Sequence, residues 1–451
     1  MENKPWESNS TTFSSQITEI CHQKFKTIGK NGKPLTFQSN LEWTVLAGIV
    51  ACHMKAEHGE YYLDCISLGS GLKCLPQSKL SKTGDLIHDS HAEILARRGF
   101  LKFIINEIKL LLNSESKYLS LNDTNYPPFI IRNNVTFHMY ISQAPCGDAS
   151  MTSIALNQSP EDAKLYINSY NNNIDSQNYD IMTRNKTSDC NIEVSKMKDG
   201  FRRGRIDYGS FGVLRTKPGR VDSEPTLSMS CSDKIAQWNV VGLQSALISE
   251  LISPIYLSSI TVGDMFYLED LNRALYERIQ DITNLPHGYF PHRPIIIPSL
   301  LKFERSRSYL SEGLLDKDLI PSNIATIWIK GSESAEVLVS GRKQGATKSK
   351  KTGLYLFKTR SSVAKLSLFQ DLESLLVQIP KSLVPQNLTK FTNQDLRKAY
   401  TYNMLKLASK NYQTAKQALR LQKFCEWIKC PSEIYENFDL NGELIDKEYI
   451  E

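Results

Sequence analysis

The sequence has no uninterrupted run of about 18 apolar residues, so we expect no helix that spans a membrane. Its N-terminus, Met1 to Trp6, lacks the basic and then apolar order of a signal peptide, which argues against secretion. The nine cysteines are odd in number and irregularly spaced, as in proteins of a reducing compartment whose thiols are free or metal-bound. We therefore expect the protein in the nucleus, the cytoplasm or both.

A strong excess of one charge is also missing. The formal net charge of +6, from 54 Lys and Arg residues against 48 Asp and Glu residues, permits a nucleic-acid partner without requiring one. With 41% hydrophobic and 23% charged residues over 451 positions, the composition is that of a globular protein with a large core.

Three short segments far apart in the chain carry the residue types of a hydrolytic zinc site: Asp89-Ser-His-Ala-Glu93, Pro145-Cys146-Gly147 and Ser230-Cys231-Ser232. Zinc in catalytic sites takes three protein ligands and keeps a fourth position for water, whose pKa falls to about 7. In this interpretation His91, Cys146 and Cys231 supply the ligands. Glu93 stays free to carry protons, as a glutamate does in nucleobase deamination.

Each segment alone also fits a structural role. Ser90 to Glu93 matches the S-x-x-E capping box of a helix start, and lone cysteines are mostly small core residues. The closely spaced cysteine pair of many zinc deaminases is absent, because Ala149 stands three residues after Cys146. The second thiolate has to come from Cys231, 85 positions later.

That long spacing, and the residues around each ligand, resemble the deaminase domain shared by the double-stranded-RNA adenosine deaminases and the tRNA-specific adenosine deaminase 1 family, here in a fungal-like form. The matching segments are Gly71-Leu-Lys-Cys-Leu, Asp89-Ser-His-Ala-Glu-Ile-Leu-Ala-Arg-Arg98, Pro145-Cys-Gly-Asp148 and Ser228-Met-Ser-Cys-Ser-Asp-Lys-Ile-Ala-Gln-Trp-Asn-Val-Val-Gly242. The resemblance runs from about Leu41 into the C-terminal region. It implies zinc-dependent hydrolysis of adenosine to inosine.

The order of apolar segments favours an α/β fold. We expect an N-terminal extension, 1–40, with one helix, and a single deaminase domain, 41–451, interrupted by a flexible Asn-rich insertion at 157–198. The resemblance implies a cytidine-deaminase-like mixed sheet flanked by helices, with a C-terminal helical region around a polyanion. Predicted elements are a helix from Gln16 to Thr27, strands at Thr44–Cys52, Tyr61–Leu68, Val135–Ile141 and Ile324–Ile329, a long helix from Ser90 to Leu112, and helical stretches at Val363–Val377 and Asp395–Trp427.

Two sets of cations lie in the C-terminal half. Five basic residues and no acid lie from Arg342 to Lys351, and the basic residues from Arg397 to Lys416 are interleaved with tyrosines. A solvated helix face is the ordinary interpretation. Several of these lysines adjoin apolar residues, however, and an unpaired buried ammonium is very costly, so an internal anion is the other interpretation.

The family resemblance implies such an anion, an inositol hexakisphosphate enclosed in the core. Its implied contacts are Arg97, Arg98, Ser228, Lys234, Lys351, Tyr402, Lys406, Tyr412 and Lys416. A relay from this ligand to the metal is implied through Asp89, Lys234 and Trp238. Gln237, Ala246, Lys429 and Cys430 depart from the residues of the family at their positions.

The resemblance also bears on the substrate. Because only 90 residues precede His91, we expect no double-stranded-RNA-binding domain and a tRNA substrate, with deamination at position 37 of an alanine tRNA. Candidate phosphate contacts, which are ordinary surface residues in the alternative interpretation, are Arg202, Arg203, Arg205, Lys217 and Arg220. A deaminase of another structured RNA, a nucleoside or cytidine deaminase, and a non-catalytic zinc and polyanion-binding protein remain alternatives. The oligomeric state is left open.

Overall fold

The computed structural model describes residues 4–37, 40–55, 60–122, 126–157, 202–205, 209–217, 223–312, 319–353, 355–392 and 400–445. The described helices are α1 (Pro5–Ser8), α2 (Ser10–Thr27), α3 (Ala92–Asn113), α4 (Met151–Asn157), α5 (Cys231–Val241), α6 (Ser245–Ile248), α7 (Leu268–Leu275), α8 (Arg307–Leu310), α9 (Lys365–Gln378), α10 (Tyr402–Ala408), α11 (Lys410–Gln422) and α12 (Ser432–Tyr435). None of these helices is long and apolar enough to cross a membrane.

The described strands are β1 (Thr36–Phe37), β2 (Asn40–Trp43), β3 (Leu46–Met54), β4 (Tyr61–Ser70), β5 (Leu72–Cys74), β6 (Asp89–His91), β7 (Leu119–Leu121), β8 (Phe129–Ile131), β9 (Val135–Gln143), β10 (Arg202–Arg203), β11 (Arg215–Thr216), β12 (Leu257–Asp264), β13 (Ile295–Pro298), β14 (Leu319–Pro321), β15 (Ile324–Ile329), β16 (Glu336–Val339) and β17 (Arg342–Lys343). Eight of them form a mixed sheet in the order β13-β12-β9-β3-β4-β15-β16-β17. β13, β12 and β9 are parallel, and every later pairing in that order is antiparallel. The predicted fold class, a mixed α/β sheet flanked by helices, is confirmed.

Alternation along β3 decides which helix covers each face of the sheet. Successive side chains of a strand point to opposite faces. Ala47 and Ile49 accordingly join the core that contains α3, while Leu46 and Val50 join the core that contains α2. A third apolar core packs α5 against α11. The sheet therefore carries α3 on one side, and the ends of its strands and helices deliver the site residues.

The boundaries of several elements differ from the sequence-based prediction. The N-terminal helix begins at Ser10 and is preceded by the single turn α1, because Trp6 and Phe13 are buried in the same core as α2. The C-terminal helical stretch is divided into α10 and α11 at Ser409. The Asn-rich insertion predicted at 157–198 lies, apart from Asn157, outside the described residues.

Candidate active site

Three elements bring the predicted metal ligands together. His91 ends β6 and caps α3, Cys146 follows β9, and Cys231 opens α5, whose cap Ser230 accepts a hydrogen bond from the backbone N–H of Asp233. Between Cys146 and the short turn after it, Gly147 has φ of +104°, and a Cβ there would collide with Ser230 Oγ. A residue other than glycine would therefore push the two cysteine segments apart.

The donor atoms are spaced for one ion. The His91 Nδ1 atom lies 3.8 Å from Cys146 Sγ and 3.5 Å from Cys231 Sγ, and all three atoms lie within 4.8 Å of one another. Ligand atoms around one tetrahedral zinc stand about 3.5 to 3.8 Å apart, given its usual bond lengths to nitrogen and sulfur. The residues therefore fit zinc both in donor type and in spacing.

Cys231 and Glu93 are buried and Cys146 is half-buried, and this environment shapes the protonation of all three groups. A hydrogen bond from the Cys231 thiol lowers the pKa of Cys146 well below its usual value, whereas burial raises the pKa of Cys231. Glu93, in the first turn of α3, is 3% exposed, and burial raises the pKa of its carboxyl group. A raised pKa favours the protonated carboxyl group, from which a general acid delivers its proton.

Asp89 is the centre of a buried hydrogen-bond group, which we call the Asp89 network and which comprises Asp89, Lys217, Ser228 and Lys234. Asp89 Oδ2 accepts hydrogen bonds from Lys217 Nζ at 2.7 Å, Lys234 Nζ at 2.5 Å and Ser228 Oγ at 2.9 Å. Burial would raise the pKa of Asp89, but the two ammonium groups lower it well below its usual range. The carboxylate thus stays ionised inside the protein.

The prediction that Lys217 contacts RNA phosphate is wrong. Its side chain is only 2% exposed, and its Nζ donates to both Asp89 oxygens and to Cys231 Sγ at 3.2 Å. A cation enclosed in this way cannot reach a phosphate on the surface. It links the Asp89 network to a candidate metal ligand.

A cavity of about 260 Å³ lies on the other side of the Asp89 network. Its lining includes Arg97, Arg98, Lys234, Trp238, Lys365 and Trp427. Arg97 Nε donates to Leu243 O at 3.0 Å and Arg98 Nε to Val363 O at 2.7 Å, and in the described part of the chain neither guanidinium forms an ion pair. Burial lowers the pKa of both arginines. Among the relay residues, Asp89 and Lys234 are hydrogen-bonded, while the ring of Trp238 lies 5.0 Å from Arg97.

Four further cations lie on three helices: Lys365 on α9, Lys406 on α10, and Lys416 and Arg420 on α11. We call these four residues the α11 cations. Glu436 pairs with two of them, Lys406 and Lys365. Burial, Lys406 and Arg420 lower the pKa of Lys416 to about 7. Arg420 lies 3.3 Å from the Trp427 ring and donates to Gln237 Oε1 at 2.5 Å. Tyr402 and Tyr412 are buried beside these cations.

Lys351 does not lie with these groups. It is exposed on a turn together with Lys350, and Lys348 is exposed at a β-bridge with Tyr355, so the interior position expected for this lysine run is wrong. Of the predicted phosphate contacts, Arg205 is exposed, and Arg202 and Arg203 are half-buried on β10. Arg220 lies outside the described residues.

Lys365, Arg420 and Glu436 were missed by the sequence analysis. Arg420 had a usable signal, because it follows Lys416 by four residues and so shares its helix face. Glu436 had none, since it stands in an acidic tail that the structure folds back onto Lys365 and Lys406.

Comparison with known proteins adds to this geometry. Residues 67–431 match the adenosine-deaminase (editase) domain. The chain is 34% identical to "tRNA-specific adenosine deaminase 1" of Drosophila melanogaster, covering 94% of this chain and 97% of the relative, and 28% identical to the Homo sapiens protein of that name, covering 94% and 99%. It is 29% identical to "Double-stranded RNA-specific editase Adar" of Drosophila melanogaster over 86% of this chain and 50% of the editase.

Proposed function

The chain belongs to the adenosine-deaminase (editase) domain family, with tRNA-specific adenosine deaminase 1 proteins as relatives along almost its whole length, and we propose that it deaminates adenosine to inosine in tRNA with zinc as its metal. It is an enzyme that deaminates adenosine. The observation that carries the zinc proposal is the grouping of one imidazole and two thiols within 4.8 Å, beside a buried glutamate outside that group. A structural zinc site would have no use for that free carboxyl group.

In the proposed reaction the metal ligands, Glu93 and Lys217 have different tasks. His91, Cys146 and Cys231 hold the ion, which when bound would lower the pKa of a water molecule to about 7 and supply hydroxide at neutral pH. Glu93 accepts the proton from the water whose oxygen adds to C6 of the adenine, and delivers that proton to N1. It then carries the second proton of that oxygen to N6 as the C6–N6 bond breaks and ammonia leaves. Lys217 donates to Cys231 Sγ and Asp89 and thereby positions that thiolate.

The names of the near full-length relatives favour tRNA over duplex RNA as substrate. The proposed target is the adenosine at position 37, next to the anticodon of an alanine tRNA. A base in a single-stranded loop is already partly unstacked, so flipping it into a pocket costs less than from a duplex. Arg202, Arg203, Arg205 and Arg220 remain candidates for phosphate contacts, and the proposed location is the nucleus, the cytoplasm or both.

A polyanion, inositol hexakisphosphate, is the proposed second cofactor. The support is electrostatic: Arg97 and Arg98 have no carboxylate partner in the described residues, and the α11 cations share Glu436. Cations that are withdrawn from solvent repel one another unless an anion lies between them. The cavity that Arg97, Arg98, Lys234 and Lys365 line is the proposed binding place.

The proposal is tested by incubating the protein with an alanine tRNA, other tRNAs and hairpin RNAs, and by sequencing inosine. We expect inosine at position 37 of the alanine tRNA and about one zinc per chain. Inosine only in another structured RNA would favour the editase-like alternative.

A substitution separates the proton carrier from the metal ligands. We expect Glu93→Ala to retain zinc and tRNA binding and to lose about 10² to 10⁴ in turnover. Glu107→Ala is the matched control, because Glu107 lies on the same helix but bonds to Ser116 Oγ, away from the ligands. Comparable inosine formation by Glu93→Ala would remove Glu93 from the mechanism.

A further inference from the structure

One exposed surface combines cations with aromatic rings and takes no part in the site described above. It is built from β17, the loop that follows it and the turn Phe357–Thr359. We call it the β17 surface and define it by Arg342, Lys343, Lys348, Lys350, Lys351, Tyr355, Phe357, Lys358 and Arg360. We infer that the β17 surface binds an unpaired stretch of the substrate RNA, stacking bases on its rings and pairing phosphates with its lysines. This inference rests on the proposed function in taking RNA as the substrate.

The aromatic rings are exposed and each has a cation beside it. Phe357 is 74% exposed, the most of any large apolar side chain that the structure describes, and Arg360 lies 4.2 Å from its ring centroid. Tyr355 is 42% exposed, with Arg342 at 4.0 Å and Lys348 at 5.2 Å from its ring. Rings held by cations and open to solvent are the platforms on which single-stranded nucleic acids stack their bases.

The charges of the β17 surface are only partly compensated. Arg342 pairs with Asp85 at 2.6 Å and Lys343 with Glu336 at 3.0 Å. Four lysines of the β17 surface are exposed and have no carboxylate within ion-pair distance among the described residues: Lys348, Lys350, Lys351 and Lys358. An uncompensated row of lysines attracts a polyanionic backbone and releases its counter-ions on binding.

A cleft gives this surface a defined shape. Its volume is about 250 Å³, and its lining includes Lys102, Lys343, Phe357, Lys358, Arg360 and Asp371. Lys102 is neutralised by Asp371 at 2.5 Å, but Lys358 and Arg360 form no ion pair within the described residues. A phosphate in the cleft would meet these two cations while the adjacent base reaches Phe357.

The position of the β17 surface favours the substrate RNA over a separate partner. Lys102 lies nine residues after Glu93 on α3, about 14 Å along the helix axis. Gly341 O accepts a hydrogen bond from Ile87 N at 3.1 Å, and Arg342 pairs with Asp85, so the surface adjoins the segment that leads into Asp89. We therefore expect an RNA whose base occupies the active site to reach this surface within a few nucleotides.

Binding of a fluorescent oligouridine 12-mer, measured by anisotropy from low to high salt, tests the inference on the full-length protein. Oligouridine contains no adenosine, so its affinity does not depend on deamination. We expect Phe357→Ala to weaken binding about tenfold. Replacing Lys348, Lys350 and Lys351 together by Gln should reduce the log–log salt slope by about 2, since each phosphate contact to a single strand contributes roughly 0.7.

Two matched controls make the result decisive. Leu300→Ala removes an apolar side chain that is 69% exposed elsewhere, and a triple Lys→Gln variant at Lys30, Lys381 and Lys390 removes the same charge from other exposed positions. If Phe357→Ala binds like Leu300→Ala, the surface attracts any polyanion, acidic proteins included, and the inference is overturned. Equal salt slopes in the two triple variants overturn it as well. If the variants lose affinity but tRNA is never deaminated, the inference stands and the proposed function falls.

Discussion

The Asp89 network and the α11 cations are both groups of charge that are at least half-buried, but only the first is balanced by its own acid. In the Asp89 network one carboxylate accepts from two ammonium groups and a hydroxyl, and one of those ammonium groups also donates to the Cys231 thiol. Among the α11 cations one carboxylate, Glu436, serves Lys365 and Lys406, while Lys416 and Arg420 form no ion pair within the described residues.

The difference shows what each region needs from outside the chain. Desolvating a charge costs several kcal/mol, and a close partner with well-made hydrogen bonds has to offset that cost. The Asp89 network meets this condition with its own side chains, so its geometry is set once the chain folds. The α11 cations do not meet this condition, because their desolvation and mutual repulsion are not offset by enough carboxylates. The lowered pKa of Lys416 reflects this deficit. The Asp89 network therefore needs no further counter-charge, whereas the α11 cations are consistent with the proposed anion.

The largest expected effect comes from breaking the balanced region. In Lys217→Met, Asp89 loses one ammonium partner and Cys231 loses its donor, so buried negative charge is left uncompensated. We expect the free energy of unfolding of the zinc-loaded protein to fall by about 3 to 5 kcal/mol in urea titrations. Lys79→Met, at an exposed lysine, is the control and should change it by less than about 0.5 kcal/mol. If Lys217→Met lowers the free energy of unfolding no more than the control does, Lys217 does not compensate the buried charge of Asp89.

A smaller effect is expected from supplying or removing the anion of the unbalanced region. Inositol hexakisphosphate at a hundred times its Kd should raise the free energy of unfolding by about 2.7 kcal/mol, because it binds only the folded state. Protein freed of the ligand, as shown by mass spectrometry, provides the starting point for urea titrations with and without it. Unphosphorylated inositol is the control ligand. A phosphate-free protein that is fully folded and active, and whose stability does not change with the ligand, would contradict the proposal that an anion binds there.

The two regions also differ in how far sequence reasoning could reach them. The grouping of His91, Cys146 and Cys231 was predictable because the residues around them resemble those of a known family, although each segment alone also fits a structural role. The strand Ile324–Ile329 was predictable to the residue, since a short apolar run rich in isoleucine suits a buried strand. The helix ahead of Gln16 was missed although Phe13 lies one turn before Ile17, a spacing that marks the same apolar face.

The cations show where sequence reasoning fails. Lys217 and Lys351 both stand in basic segments, yet one is buried at the Asp89 network and the other is exposed on a turn. What separates them is a carboxylate 128 positions away from Lys217, and nothing in the local pattern reports such a partner. Residue type predicts that a charge needs a counter-charge, whereas only the fold decides which one it finds.

The smallest expected effect is a pH dependence confined to the anion-free protein. Burial and the charges of Lys406, Arg420 and Lys429 lower the pKa of Lys416 to about 7, against the opposing effect of Glu436. In the unfolded chain the lysine keeps its ordinary pKa, so above pH 7 the unfolded state binds more protons than the folded state. Stability should therefore rise with pH from about 7 to 9, by at most about 1.4 kcal/mol per pH unit for one proton.

This rise should depend on Lys416 and on the missing anion together. We expect urea titrations between pH 7 and 9 to show a smaller rise in Lys416→Met than in wild type, whereas Lys410→Met, at an exposed position of the same helix, should match wild type. Inositol hexakisphosphate should remove the difference, because its phosphates favour the charged lysine and return its pKa toward the ordinary value. The free energy of unfolding could instead rise equally in wild type and in Lys416→Met without the ligand. Lys416 would then not be the group with the lowered pKa, and the proposed electrostatic difference between the two regions would be wrong.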